Sequence, residues 1–216
     1  MSDRPFDMPD ASHSFAVRGA WLVQRFTEDL QLGATFRGGG IVGNLGFESG
    51  GLKIMQEQHP ISGKGGWGWE QATGPRRRAM EAWAAAKGFD LSGDQANYGF
   101  ILVELQGSFA FVVTRLRAAT TLEQAVLAFG IYDEAPAGTS PGHLPGYLDR
   151  LTYARQAMAA LDPATPSTPP PVDAAIPTAI RELQTALQTL GLYHGAIDGD
   201  FGPQTTAALQ AWRATL

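Results

Sequence analysis

Glu48 is an acidic residue that lies in phase with the apolar residues of a predicted helix. Ile41, Leu45 and Glu48 follow i, i+4, i+7 spacing, so they share one face of a helix that ends just before Gly50. Burial and the negative end of the helix dipole both disfavour the charged carboxylate, so we expect the pKa of Glu48 to be raised. A carboxylic acid that is neutral at about pH 7 can protonate a leaving oxygen, as cleavage of a glycosidic bond requires. The alternative is a solvated, structural glutamate at a helix end.

Composition excludes several classes of site and partner. The chain of 216 residues has no cysteine, which excludes disulfide scaffolds and cysteine-based metal sites or nucleophiles. Its four histidines lack metal-ligand spacing, so we expect neither a metal nor a cofactor. A formal charge of −5 argues against a nucleic-acid partner, and no apolar run approaches the length of a membrane span. We therefore expect no nucleic-acid or membrane partner, and we expect a monomer.

A proline-rich segment divides the chain. Five of the 14 prolines fall between positions 162 and 173, and such a stretch favours extended polyproline structure over helix. We interpret residues 162–177 as a semi-rigid linker between a first domain, 1–161, and a small second domain, 178–216.

Apolar periodicity predicts a mainly helical first domain. The predicted helices span 15–32, 40–48, 75–87, 94–114, 121–131 and 148–161. The start of the second helix stays open, because Gly38-Gly39-Gly40 is poor helix material. Residues 51–74 and 132–147 are predicted loops that flank a cleft. The basic cluster Arg76-Arg77-Arg78 is interpreted as a solvated helix face, with contact to anionic substrate groups as the alternative.

Two motifs follow each other at the spacing of a known family. The first is Gly43-Asn44-Leu45 with Glu48-Ser49-Gly50, and the second is Gly66-Trp67-Gly68-Trp69-Glu70-Gln71-Ala72-Thr73-Gly74. Together they resemble the phage tail lysozyme family and, more distantly, goose-type lysozymes and soluble lytic transglycosylases, over roughly residues 15–160. The resemblance implies a lysozyme-like helical fold and peptidoglycan as the substrate. It also implies that Glu48 is the general acid that cleaves the β-1,4 bond from MurNAc to GlcNAc.

The same resemblance implies roles for the neighbours of Glu48. In those relatives a glutamate–serine pair ends a helix, and the glycine-rich segment lines the sugar cleft. Ser49, Trp67 and Trp69 are therefore expected to bind substrate. Gln71 and Thr73 are expected to hydrogen-bond sugar hydroxyls or to position a water molecule, or else to satisfy the turn beside Gly74.

The second motif departs from the family pattern Ala-Gln-Trp-Thr-Gly. Ala72 replaces the tryptophan, which weakens the expected stacking on a sugar. Glu70 adds a carboxylate, which either activates water as a second acid–base group or faces solvent in a loop.

Other acidic residues have weaker signals. Residues 129–136 resemble a family segment with an aromatic residue, a glutamate and a nearby proline. By that likeness Tyr132 and Glu134 line the cleft, although Glu134 is alternatively the partner of an arginine. Glu104 lies in a strongly apolar helical stretch, where we expect a partly buried structural ion pair.

The tail has the pattern of a second helical domain. Thr178 is a predicted helix cap after Pro177. An apolar stripe follows the cap and is made by Ile180, Leu183, Leu187 and Leu190. The later segment 198–205, Asp-Gly-Asp-Phe-Gly-Pro-Gln-Thr, lacks the ligand spacing of a calcium-binding loop.

This tail is similar to the small, three-helix-type peptidoglycan-binding domain. The likeness implies bacterial peptidoglycan as the partner of the chain. The wall-binding residues that it implies are Tyr193, Asp198, Asp200, Phe201 and Thr205. The alternative is a structural tail that packs on the first domain.

The two resemblances together imply a phage-type endolysin, a muramidase whose tail tethers it to the cell wall. The alternative enzyme is a lytic transglycosylase that forms anhydro-MurNAc. The alternative class is a non-catalytic wall-binding or phage tail structural protein. The polar, acidic start lacks the pattern of a signal peptide, so we expect synthesis in the host cytoplasm and action on the wall after holin-type or other release.

Overall fold

The structure is a computed structural model of the chain. It describes residues 5–60, 63–133, 144–161, 172–200 and 202–213. Contacts divide the chain into two units, Met1–Pro166 and Ser167–Leu216. Each unit has a hydrophobic core of its own.

Both units are helical, as the sequence predicts. Within the described ranges there are nine α-helices: α1 (Phe15–Asp29), α2 (Thr35–Glu48), α3 (Gly74–Lys87), α4 (Asp94–Gln106), α5 (Ala110–Ala118), α6 (Leu122–Asp133), α7 (Tyr147–Ala159), α8 (Val172–Thr189) and α9 (Pro203–Arg213). The only β-type pairing in these ranges consists of two isolated bridges, Gln56 with Trp67 and Trp67 with Ala72. The chain is therefore mainly α-helical.

Helix α2 lies at the centre of the first unit and packs against α1, α6 and α7. Its start, which the sequence left open, is at Thr35, so Gly38-Gly39-Gly40 lies buried inside the helix. A side chain on Gly38 would overlap Val23 of α1, and one on Gly40 would overlap Ala125 of α6. The glycines thus let the surrounding helices approach closely, and this packing outweighs their poor helix propensity.

Helix α3 confirms the predicted segment 75–87. Pro75 lies in its first turn, where the missing N–H costs nothing. The helix ends at Lys87, and Gly88 follows in the left-handed conformation with φ of 69°. This cap fixes the C-terminal boundary of the helix.

The prediction of one continuous helix over 94–114 is wrong, because the structure has two helices there. Helix α4 ends at Gln106, and α5 begins at Ala110 after a bend of 84°. The N–H groups of Gly107 and Phe109 both donate to the carbonyl of Glu104, which closes the helix and turns the chain. In the described part of the chain, no single helix has the length and apolar character of a membrane span, and α4 with α5 meets that test only as this bent pair.

The second unit contains α8 and α9. Helix α8 begins at Val172 rather than at the predicted cap, Thr178, and it runs through Pro177 although proline lacks the N–H for one helix hydrogen bond. Residues 172–177 of the predicted linker are therefore helical, and residues 162–171 lie outside the described residues. Leu187, Tyr193 and Ala208 form the core of this unit.

Candidate functional site

Glu48 is the last residue of α2, on the same face as two core residues. Ile41 and Leu45 are completely buried, whereas 21% of the Glu48 side chain is exposed. The apolar stripe thus brings the carboxylate to the edge of the core, where one end of the side chain meets solvent. The i, i+4, i+7 spacing predicts this placement.

A buried arginine contacts this carboxylate. Arg150 of α7 has no exposed surface, and its Nη2 donates to Oε1 of Glu48. Its Nη1 donates to Oδ1 of Asn44 at 2.8 Å, and its Nε donates to the carbonyl of Pro145 at 2.9 Å. The guanidinium carbon also lies 4.4 Å from the centre of the Phe47 ring. Arg150 therefore contacts three residues of α2, namely Asn44, Phe47 and Glu48.

Asn44 fixes the position of this arginine relative to three helices. Its Nδ2 donates to the carbonyl of Gly40 at 2.8 Å and to the carbonyl of Val126 on α6 at 3.0 Å. With both amide hydrogens committed to carbonyl groups, Oδ1 is the atom that accepts from Arg150. The side chain is completely buried, so α2, α6 and α7 share one polar network inside an apolar core.

The turn after Glu48 is held by Ser49. The Ser49 hydroxyl donates to the carbonyl of Leu45 at 2.6 Å and accepts from the N–H of Leu52 at 2.9 Å. Gly50, Gly51 and Leu52 all have left-handed φ values, which is unusual for a leucine. Ser49 is completely buried, so its hydroxyl serves the backbone of this turn.

Gln71 is tied to the same turn. Its Nε2 donates to the carbonyl of Gly68 at 2.7 Å and to the carbonyl of Ile54 at 3.3 Å. The N–H of Ile54 in turn donates to the carbonyl of Ser49 at 2.8 Å. Gln71 has a left-handed φ of 48°, a strained conformation of the kind that clusters at functional sites. The structure thus brings the glycine-rich segment and the end of α2 together through Gln71.

The two predicted sugar-stacking tryptophans have different environments. Trp67 is half-buried, and the guanidinium carbon of Arg77 lies 5.1 Å from its ring centre. Trp69 is completely buried in the main core, and its backbone N–H donates to Oδ1 of Asn97 at 3.0 Å. The ring of Trp69 has no exposed face for a sugar, so we assign it to the core.

Glu70 neither faces solvent nor lies free for catalysis. Only 1% of its side chain is exposed, and Oε2 forms an ion pair with Nη2 of Arg76 at 3.0 Å. The same guanidinium binds Glu104, with 2.9 Å from Nη2 to Oε2. The expected ion pair of Glu104 is thus confirmed, and the structure places Glu70 in the same buried network.

The rest of the basic cluster and Thr73 lie around a neighbouring cavity. Arg77 is buried and donates to Gln56, Glu81 and two carbonyls, whereas Arg78 is exposed. The prediction of a solvated face is therefore wrong for Arg77, because Gln56 and the carbonyls of Lys64 and Gly65 accept its hydrogen bonds. Thr73 is exposed and lines a cavity of about 690 Å³ together with Arg77 and Arg78, and Glu48 does not line this cavity.

Two cleft residues expected from the resemblance have little structural description. Tyr132 lies near the end of α6, but its side chain is outside the described residues. Glu134 also lies outside the described residues. Among the residues that are described, no three His, Asp or Glu side chains come together as a group that could hold a metal ion.

In the tail, four of the five predicted wall-binding residues lie around Gln184. The buried Nε2 of Gln184 lies within 3.2 Å of Tyr193 Oη, Asp198 Oδ1, the Asp200 carbonyl and Thr205 Oγ1. Tyr193 and Thr205 are buried, Asp198 and Asp200 are exposed, and Phe201 is outside the described residues.

The hydrogen bonds around Gln184 shift the pKa of one acidic residue, Asp198. The N–H of Asp200 and then the amide of Gln184 bind the Asp198 carboxylate and hold the pKa of Asp198 below its usual value. The hydrogen bonds thus tie the acidic turn to α8.

Sequence reasoning missed Arg150, Asn44 and Gln184 as members of these sites. Arg150 has the same signal as Glu48, because it shares spacing with the apolar residues Ala154 and Ala157 on α7. A charged residue that lies on the apolar face of a helix needs a partner inside the protein. Matching that charge to Glu48 requires the packing of α2 on α7, which periodicity within one helix does not contain.

Comparisons with known families agree with both units. The family model of the phage tail lysozyme matches residues 39–161, and the model of a peptidoglycan binding domain matches residues 177–214. No curated protein and no solved structure matches the chain. The first match covers more than half of the chain and includes Glu48, Gln71 and Arg150. The chain therefore belongs to the phage tail lysozyme family, with a peptidoglycan-binding domain at its C-terminal end.

Proposed function

We propose that this protein is a muramidase that hydrolyses the β-1,4 bond from MurNAc to GlcNAc in peptidoglycan, with Glu48 as the general acid. The observation that carries the proposal is the placement of Glu48 at the end of α2, with its carboxylate at the edge of the core and 21% exposed. Family membership supports a lysozyme-type reaction, and the second domain supports peptidoglycan as the partner.

In the proposed reaction, protonated Glu48 gives its proton to the glycosidic oxygen as the bond from C1 to that oxygen breaks. Positive charge develops on C1, water adds there, and the water releases its proton to solvent. Gln71 is the neighbouring polar group best placed to orient sugar or water, because it is tied to the turn after Glu48. Trp67, Thr73, Tyr132 and Glu134 stay predicted substrate contacts.

We further propose that the tail holds the enzyme on the wall. Its exposed acids, Asp198 and Asp200, lie on one turn and are available to sugar hydroxyls or stem-peptide amides. Tyr193 and Thr205 shape that turn from inside the unit. The chain then acts on the wall after holin-type or other release from the cytoplasm.

The Glu48→Gln substitution tests the proposed function. Glutamine keeps the size of the side chain and cannot act as an acid, so we expect muropeptide release from purified peptidoglycan to fall by about 10²- to 10⁴-fold. The matched control is Glu123→Gln, since Glu123 also pairs with an arginine of α7 but is 44% exposed. Wild-type release by a folded Glu48→Gln variant contradicts the proposal.

A lytic transglycosylase is the second candidate, favoured by the state of Glu70. With 1% of its side chain exposed and an ion pair to Arg76, Glu70 is not available to activate water. A transglycosylase needs no such group, because the MurNAc 6-hydroxyl replaces water. The masses of released muropeptides separate the two reactions: a hydrated reducing-end MurNAc indicates hydrolysis, and a mass lower by one water indicates the anhydro product.

A further inference from the structure

We propose that Arg150 is a positioning residue for catalysis, which holds Oε1 of Glu48 and leaves Oε2 as the oxygen that carries the reacting proton. This inference rests on the proposed role of Glu48. It assigns to α7 a part in the reaction that the motifs around Glu48 and Gln71 do not contain.

The geometry around Arg150 fixes its guanidinium on several sides. Asn44 Oδ1 and the Pro145 carbonyl accept hydrogen bonds of 2.8 and 2.9 Å, and the Phe47 ring covers one face at 4.4 Å. A planar guanidinium held at these points presents Nη2 to Glu48 in one orientation. The carboxylate that it binds is therefore oriented as well.

The two oxygens of Glu48 are not equivalent. Oε1 accepts from Arg150, and this is the hydrogen bond that the Glu48 side chain makes within the described residues. Oε2 is thereby left for the glycosidic oxygen. A general acid must place its proton within hydrogen-bond distance of the leaving atom, so fixing one oxygen of the carboxyl group determines where the other one acts.

The burial of Arg150 gives the contact its strength. Arg150 is completely buried and the Glu48 side chain is 21% exposed, so the arginine is the better shielded partner. A buried guanidinium is costly unless it is hydrogen-bonded, which holds Arg150 against Oε1 of Glu48 and Oδ1 of Asn44. Oε1 can accept this bond while the proton is on Oε2. The same helix contains a natural comparison, because Arg155 pairs with Glu123 at side-chain exposures of 64% and 44%.

The test compares Arg150→Ala, Arg150→Lys and the surface control Arg155→Ala in steady-state digestion of soluble glycan strands. We expect kcat to fall by about 10²-fold in both Arg150 variants, because a misplaced acid loses orientation, while KM changes by less than about twofold. Lysine keeps the positive charge but lacks the planar fork that joins Asn44 to Glu48. Arg155→Ala is expected to keep the wild-type kcat.

Chemical rescue separates positioning from a merely structural role. Guanidinium ion added at low millimolar concentration is expected to restore part of the kcat of Arg150→Ala by entering the vacated site, and to leave Glu48→Gln inactive. A variant that is only destabilised is not expected to regain activity at this guanidinium concentration, which is too low to change the free energy of unfolding measurably. No rescue of folded Arg150→Ala, or a wild-type kcat in either folded Arg150 variant, overturns the inference.

A measurement that leaves Arg150 in place covers the case in which both Arg150 variants fail to fold. The side-chain N–H protons of Arg150 are expected to exchange slowly with solvent and to exchange faster in Glu48→Gln. Equal exchange in the two proteins overturns the inference. If Glu48→Gln retains full activity, the proposed function fails; if Glu48→Gln is inactive and the Arg150 variants are not impaired, the inference alone fails.

Discussion

At the scale of single residues, burial separates the carboxylates that the sequence made candidates. Glu48 lies at the edge of the core with an arginine on one oxygen, whereas Glu70 is enclosed with Arg76 and Glu104. Both environments are ionic, but only the Glu48 side chain has substantial exposure. Access to solvent, rather than the presence of a carboxylate, thus separates Glu48, the candidate general acid, from Glu70, the candidate for activating water.

The acidic turn of the tail leads to a prediction on pH. The backbone N–H of Asp200 and the amide of Gln184 stabilise ionised Asp198, so its pKa is lowered from the ordinary value of 3.8. A lowered folded-state pKa means that the stabilisation is complete above the unfolded value and is lost as the pH falls through the folded value. We therefore expect the turn to loosen only below about pH 3.8.

NMR titration of the Asp198 carboxyl carbon measures this effect in the full chain, together with hydrogen exchange at Gly199, whose N–H donates to Oε1 of Gln184 at 3.0 Å. Asp198→Asn keeps an acceptor oxygen but cannot titrate. In this variant, the protection of Gly199 from exchange is therefore expected to stay unchanged at the pH where Asp198 titrates in the wild-type chain. A titration midpoint above 3.8 would contradict the prediction, because it would mean that the hydrogen bonds do not favour the ionised form.

At the scale of helices, α2 has two roles at once. Its glycines allow α1, α6 and α7 to approach closely, and its polar residues Asn44 and Glu48 meet Arg150 from α7. The close approach is what allows an arginine side chain from α7 to bind two residues on α2. Packing and the chemistry of the candidate site therefore depend on the same helix pair.

Gly43→Ala tests this dependence. A methyl group at Gly43 would overlap the backbone carbonyl of Arg150 and lie 2.7 Å from Cβ of Ala154. We expect a loss of about 1–3 kcal/mol in the free energy of unfolding from overpacking, although alanine is the better helix former. We also expect reduced muropeptide release, because α7 must move and take Arg150 with it.

Urea unfolding followed by circular dichroism measures the stability of this variant. Thr35→Ala is the control, since Thr35 is exposed at the start of the same helix and its substitution is expected to change stability by less than about 0.5 kcal/mol. Unchanged or increased stability of Gly43→Ala would show that α2 and α7 are not packed as closely as the structure has them.

At the scale of the whole molecule, the chain has two compact units with separate cores. We expect a chain that ends at Pro166 to keep its kcat on soluble glycan strands, because the groups around Glu48 all belong to the first unit. On insoluble walls at low enzyme concentration, its rate is expected to fall on the order of 10²-fold, since tethering raises the local substrate concentration.

Parallel assays on the two substrates measure this difference. Equal losses on soluble strands and on whole walls would instead support the alternative of a structural tail that packs on the first domain. The full-length Glu48→Gln variant provides the reference for wall binding without cleavage, through its sedimentation with purified walls.

The sequence by itself determined the helical class, the cap at Gly88, the phase of Glu48 on α2 and the two families that match. These features depend on local spacing, residue type and short motifs, which are complete within one stretch of chain. It did not determine that α2 runs through three glycines, that α4 and α5 are separated by a bend, or that Trp69 is buried. In each case contacts between distant segments outweighed local propensity.

Tertiary structure alone decided the partners of the charged residues. Glu48 meets Arg150, Glu70 meets Arg76, and Gln184 gathers the acidic turn of the tail. Periodicity shows that a side chain faces the interior, but not which side chain faces it from the other helix. Because a buried charge is stable only with its partner, the choice of partner separates the candidate acid at Glu48 from the enclosed carboxylate at Glu70.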